Sequence, residues 1–160
     1  MKNKRKFSRG KFFIFIACMA ISFGAAALGS LFTASAVKSD WYSSIKPAIT
    51  PPNFVFPIVW TILFFLMGLS LYSLWIKANR DMRRVVGVVF GFNFLLNILW
   101  SVLYFGMRNP LFAFIEIIVL WLSIATMIYA AWKVDKKAAW MLVPYLVWVS
   151  FAAVLNYLSI

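Results

Sequence analysis

The residues in this chain best suited to chemistry are tryptophans and asparagines at helical spacing. Asn93, Asn97 and Trp100 follow one another by four and three positions, as do Tyr145, Trp148, Ala152 and Asn156, and Phe56, Trp60 and Phe64 are spaced by four. Each set therefore lies along one face of a helix. Indole rings offer flat apolar surfaces with one N–H donor, and amides offer a donor and an acceptor. The chemistry such faces support is recognition in a pocket. Other chemistries lack their groups: with no His, one Cys and four acidic residues (Asp40, Asp81, Glu116, Asp135), a zinc site, a haem-ligating His or a Ser-His-Asp triad is not expected. No metal and no resident cofactor are expected.

The elements that must position these residues are membrane helices. The chain is 160 residues long, 64% hydrophobic and 12% charged, against roughly 45–50% apolar and 25% charged in soluble domains. Apolar stretches of about 20 residues, the length that crosses a bilayer core, predict an all-α, five-helix membrane bundle in a single domain. The helices are expected over residues 12–33, 54–76, 85–105, 111–132 and 138–159, with one long loop over 34–53. The basic start and the small residues Ala34-Ser35-Ala36 resemble a cleavable secretory signal, but such a signal has an apolar core of only about 7–15 residues. An uncleaved first helix is the expectation.

Thirteen of the 16 Lys and Arg residues fall before the first run, between the second and third, or between the fourth and fifth. The positive-inside rule then places the N-terminus in the cytoplasm, and the long loop and C-terminus outside. The net charge of +12 thus reads as membrane orientation, not as affinity for nucleic acid. On this orientation Trp60, Asn97, Trp100 and Trp148 share one depth in the outer half of the membrane. Trp75, Trp132 and Trp140 belong to an interfacial belt at the opposite end.

An amide in hydrocarbon needs a partner or a polar cavity, so Asn93 and Asn97 are expected to point into the bundle. They could serve as interhelical glue or line a pocket. Two features favour the pocket. The first run is nearly free of side chains at Gly24-Ala25-Ala26-Ala27 and Gly29-Ser30, where it can pack closely or leave room. The long loop carries Trp41, Tyr42, Pro47, Pro51 and Pro52, a stiff aromatic segment suited to a lid. Asn53 is expected to cap the second helix, and Pro144 to free a carbonyl and kink the fifth. Gly87 and Gly91 form a G-x-x-x-G face opposite the amides, which suits a homodimer through the third helix or packing within the chain. Glu116 is the one acid within a span, placed where Arg108 could reach it.

The set Trp41-Tyr42, Lys46-Pro47, Pro51-Pro52-Asn53, Phe56-Pro57, Trp60-Thr61, Asn93, Asn97, Trp100-Ser101, Pro144-Tyr145, Trp148, Phe151-Ala152 and Leu155-Asn156 resembles the TspO/MBR family, the tryptophan-rich sensory proteins of bacteria and the mitochondrial translocator protein. The resemblance implies a five-helix membrane protein, usually dimeric. It implies a pocket beneath the loop for porphyrins such as protoporphyrin IX, for sterols in some members, and for synthetic benzodiazepine-site ligands. Trp41, Pro47, Pro51, Pro52, Trp60, Asn93, Asn97, Trp100, Trp148 and Ala152 are the matching positions, to which the aromatic loop adds Tyr42 and spacing adds Phe56 and Tyr145. A receptor or sensor in a bacterial cell membrane is the function implied. Light-dependent porphyrin degradation and transport are the alternatives. Ile49 stands where family members often carry Trp just before the Pro-Pro pair.

Overall fold

The computed structural model describes residues 9–160, all-helical in its regular elements. Lys2, Lys4, Arg5 and Lys6, which contribute to the charge asymmetry above, lie outside the described residues. The elements are α1 (Arg9–Ala36), α2 (Asp40–Ile45), α3 (Val55–Lys77), α4 (Arg80–Ser101), α5 (Pro110–Trp132) and α6 (Lys136–Tyr157). A π-helical turn, Val102–Gly106, extends α4. Five helices, α1, α3, α4 with its extension, α5 and α6, are long and apolar enough to cross a membrane. They match the five expected spans with ends shifted by a few residues. The short α2 inside the loop was not expected.

Polar side chains set the helix starts. Asn79 accepts a hydrogen bond from the Met82 N–H at 2.9 Å, Asn109 from the Phe112 N–H at 3.1 Å with Pro110 in the first turn, and Ser39 from the Tyr42 N–H at 3.2 Å. Each satisfies an N–H that the helix cannot pair itself. Asn53 does not cap α3, correcting the expectation. The cap position is Phe54, without a side-chain bond, and the Asn53 amide donates instead to the Val37 carbonyl at 3.4 Å, tying the end of the loop to its beginning. Helix α6 continues through Pro144.

Packing closes the five long helices into a ring in which α1 meets α3, α3 meets α6, α6 meets α5, α5 meets α4, and α4 returns to α1. Large apolar side chains face outward, with Leu31 and Val88 each 71% exposed. Met67, Leu74, Val86, Ile124 and Leu142 are fully enclosed. Because lipid is as apolar as leucine, close packing and hydrogen bonds between helices hold such a bundle together. The small residues of α1 divide: Ala25 and Gly29 are buried and pack closely, whereas Gly24, Ala27 and Ser30 are exposed and a Cβ on Gly24 would meet nothing within 4 Å. The Ser22 hydroxyl donates to the Phe64 carbonyl at 2.6 Å, and a Cβ on Gly29 would lie 3.3 Å from the Ser101 hydroxyl.

At the end away from the loop, Asp135 joins α6 to α3. Its Oδ2 accepts from the Ser73 hydroxyl and from Lys77 Nζ, both at 2.6 Å. Partial burial pushes the carboxyl up, but hydrogen bonds from Lys77, Ser73 and the Lys137 N–H outweigh it and hold the group below its ordinary value of 3.8. A carboxylate with a depressed folded value stabilises fully above the unfolded value and loses that contribution as pH falls through the folded one. Lys77 is half exposed, so the contribution is small, about 0.2–1 kcal/mol. Asp135→Asn should lower the unfolding temperature slightly at pH 7, and the difference from the parent chain should shrink as the pH falls below the carboxyl's folded value. Thermal unfolding in detergent across that range checks this.

Candidate ligand site beneath the loop

The loop is held down by aromatic contacts with the extension of α4. Tyr42 is buried with its ring 5.7 Å from Phe105, Trp41 lies 5.9 Å from Tyr104, and Tyr104 stacks on Trp100 at 5.0 Å. Burial pushes the Tyr42 hydroxyl up to about 12, and neighbouring Tyr104 adds to the shift. The widened π turn places Tyr104 and Phe105 beneath the loop, and such turns inside helices recur at functional sites. Just beyond it, Arg108 takes the left-handed backbone conformation at φ 51° and sets its guanidinium 5.8 Å from the Trp41 ring centroid. Left-handed geometry is costly for a side-chain-bearing residue; here it is held by bonds from the Met107 N–H to the Val102 carbonyl and from the Asn109 N–H to the Leu103 carbonyl. Arg108 therefore serves the loop. It makes no ion pair with Glu116, although the sequence places it within reach of that carboxyl.

Inside the ring, the three aromatic and polar faces meet as the spacing predicts. Trp60 lies 5.6 Å from Phe64 and 6.1 Å from Tyr145, and Phe56 lies 5.8 Å from Trp148. Asn93 and Asn97 are both buried, but the structure gives them different work. Asn93 is fully engaged between helices: its amide donates to Ser123 at 2.8 Å and its carbonyl accepts from the Tyr145 hydroxyl at 3.2 Å. Asn97 donates to the same Tyr145 oxygen at 3.0 Å and also faces a cavity. The Trp100 indole N–H donates to Asn156 at 3.0 Å, and the Asn156 amide in turn donates to the Pro110 carbonyl at 2.8 Å.

That cavity is lined by Trp60, Asn97, Trp100, Ile117, Leu120, Val149 and Ala152, and as closed it encloses about 10 Å3. This is room for no more than about one water. Of the residues expected at the site, Trp60, Asn97, Trp100 and Ala152 form its wall. Tyr145 backs that wall through Trp60 and Asn97, Asn93 holds Tyr145, and Phe56 and Trp148 pack on each other without lining the cavity. Trp41, Tyr42, Pro47, Pro51 and Pro52 belong to the loop above and do not line the closed cavity. Ile117, Leu120 and Val149 were not anticipated, because nothing distinguishes them from their apolar neighbours in sequence. The Trp148 indole N–H and the Glu116 carboxyl, each next in sequence to a wall residue (Val149 and Ile117), are buried without a hydrogen-bond partner, as is the Thr50 hydroxyl of the loop. Gly87 and Gly91 face outward; a Cβ on Gly91 would meet nothing within 4 Å and one on Gly87 only the Trp75 ring at 3.7 Å.

Comparison with known proteins agrees with this arrangement. The model of the TspO/MBR family matches residues 15–159. The chain is 40% identical over 143 residues to the tryptophan-rich protein TspO of Chlorobaculum tepidum, covering 88% of this chain and 87% of that protein. It is 41% identical over 146 residues to the protein of the same name from Archaeoglobus fulgidus, covering 89% of each. The translocator protein of Ovis aries is 34% identical over 122 residues, 73% of this chain and 71% of the sheep protein. Five membrane-length helices, the tryptophan and asparagine faces brought together inside them, and a family match running almost end to end establish that the chain belongs to the TspO/MBR family of integral membrane proteins.

Proposed function

We propose that the protein is a receptor or sensor that binds a flat, largely apolar ligand, a porphyrin of the protoporphyrin IX type or a sterol, between Trp60, Trp100 and Ala152. The observation that carries this reading is the cavity itself: two indoles and one amide converge on an apolar gap below a loop that packs on the end of α4 through Trp41 and Tyr42. Asn97 can orient a polar edge while the indoles stack on the ligand's face. The cavity is far smaller than a porphyrin, so binding requires the helices that line it, α3, α4, α5 and α6, to separate. The relatives' names, sensory protein and translocator, fit a site that opens and closes. On this reading the loop faces the outside of a bacterial cell membrane.

Titrating protoporphyrin IX into the purified protein in the dark should quench tryptophan fluorescence to saturation, and Trp60→Ala should weaken binding about tenfold, the worth of one lost aromatic contact. Unchanged affinity in that variant would place the ligand elsewhere. Loss of porphyrin absorbance in light but not in the dark would assign a degrading activity to the same site.

The outward Gly87 and Gly91 face supports a second part of the proposal, a homodimer through α4. A Cβ added at Gly91 would meet nothing within 4 Å, and small residues let two backbones approach closely. Cysteine cross-linking at Gly87 in membranes should yield a dimer. A chain that remains monomeric under cross-linking would overturn this part alone.

A further inference from the structure

Three donors around the cavity are committed, while the Trp148 indole N–H is not. Trp100 gives its N–H to Asn156, Asn97 gives an N–H to Tyr145, and Tyr145 gives its O–H to Asn93. Against this background Glu116 stands out. It is 7% exposed, and neither carboxyl oxygen has a hydrogen-bond partner. It shares the buried face of α5 with Ala113, Ile117 and Leu120, the last two of which form cavity wall. Among the described residues the one ion pair, Lys77 with Asp135, lies at the opposite end of the bundle, and Arg108 is engaged on the Trp41 ring. An unsatisfied carboxyl inside a membrane protein is costly and points to function.

We infer that Glu116 is a recognition point for a protonated amine carried on an apolar body, seated in the cavity with Trp60 and Trp100 as its aromatic walls. An ammonium supplies the donors that the chain withholds from this carboxyl, through a charge-assisted hydrogen bond. It is also the group that indole faces attract by cation–π interaction. Neutral apolar molecules fill the same space without answering the carboxyl. The inference rests on the cavity being a ligand site, but not on that ligand being a porphyrin.

The test uses the full chain in nanodiscs of zwitterionic phosphatidylcholine, with naphthylethylamine and its uncharged isostere propylnaphthalene as probes. Uptake by empty nanodiscs is subtracted. The parent chain should prefer the amine by about tenfold, the ratio expected of one charge-assisted bond in a dry site. Glu116→Gln should erase the preference while binding the neutral probe as before, and Glu116→Asp should keep part of it. Equal binding of the two probes by the parent chain, or an undiminished preference in Glu116→Gln, would overturn the inference and leave a water or the carboxyl's own proton as what satisfies Glu116. Protoporphyrin titrated into the same samples separates the two readings. An amine preference without porphyrin binding sinks only the porphyrin proposal. Porphyrin binding without an amine preference sinks only this one.

Discussion

An Ala152→Phe variant should lose at least about tenfold in protoporphyrin affinity while remaining folded. Ala152 is a small side chain in the wall of a cavity of about 10 Å3 that Trp60 and Trp100 also line. A benzyl group there has two places to go: into the gap, where it occupies the space a ligand needs, or against α4, where it props the bundle open. Overpacking of this kind costs about 1–3 kcal/mol, and either outcome removes the complementary shape on which binding of a flat ligand depends. The control is Val154→Phe, two residues along α6, where the side chain is 50% exposed toward lipid; it should bind porphyrin as the parent does. Dark titrations followed by tryptophan quenching, paired with circular dichroism to confirm helix content, measure both. Full affinity in a folded Ala152→Phe protein would move the site away from this cavity.

How much of this site could be read from sequence depends on the kind of residue. Trp60, Asn97 and Trp100 announce themselves, because polar and aromatic groups at helical spacing in a membrane run are rare enough to need a reason. Ile117, Leu120 and Val149 do not, since every position around them is equally apolar and a period cannot be drawn from a uniform run. The five spans were legible for that same uniformity, which fixes length and existence but leaves order in space open. Nothing in the chain says that α3 packs on α6 and α1 on α4, because short connections constrain only sequential neighbours and the ring is closed by helices distant in sequence. The choice between glue and pocket for the two asparagines was equally closed to sequence. Asn93 and Asn97 are the same residue type one turn apart, and only the location of Ser123 and of the cavity separates their roles. Asn53 was misread for a related reason. Its position suits a cap, but the competing Val37 carbonyl comes from the far end of the loop, a partner that local rules do not include.

Tyr145→Phe should be the most destabilising single-atom change in the bundle, because one hydroxyl joins α4 and α6 twice. It accepts from Asn97 and donates to Asn93, and the Tyr145 side chain is fully buried. Removing the oxygen leaves the Asn97 donor and the Asn93 acceptor facing each other's neighbourhood without a partner, deep in the membrane region. Leaving a buried group unsatisfied costs about 1–3 kcal/mol; bonds between membrane helices measure less, averaging about 0.6 kcal/mol. With two bonds lost at once, about 1–2 kcal/mol is expected. Tyr104→Phe is the informative comparison. Its hydroxyl donates only to Ser159, which keeps its own bond to the Leu155 carbonyl, so that variant should lose well under half as much. The two differ also in binding: freed from Tyr145, the Asn97 amide is no longer held toward the cavity, and porphyrin affinity should fall with stability, whereas Tyr104→Phe should leave the cavity wall in place. Chemical or thermal unfolding of both variants in one detergent, with a dark porphyrin titration on each, decides the matter. Equal losses of stability in the two would mean that the Asn93–Tyr145–Asn97 junction contributes no more than an ordinary interhelical contact.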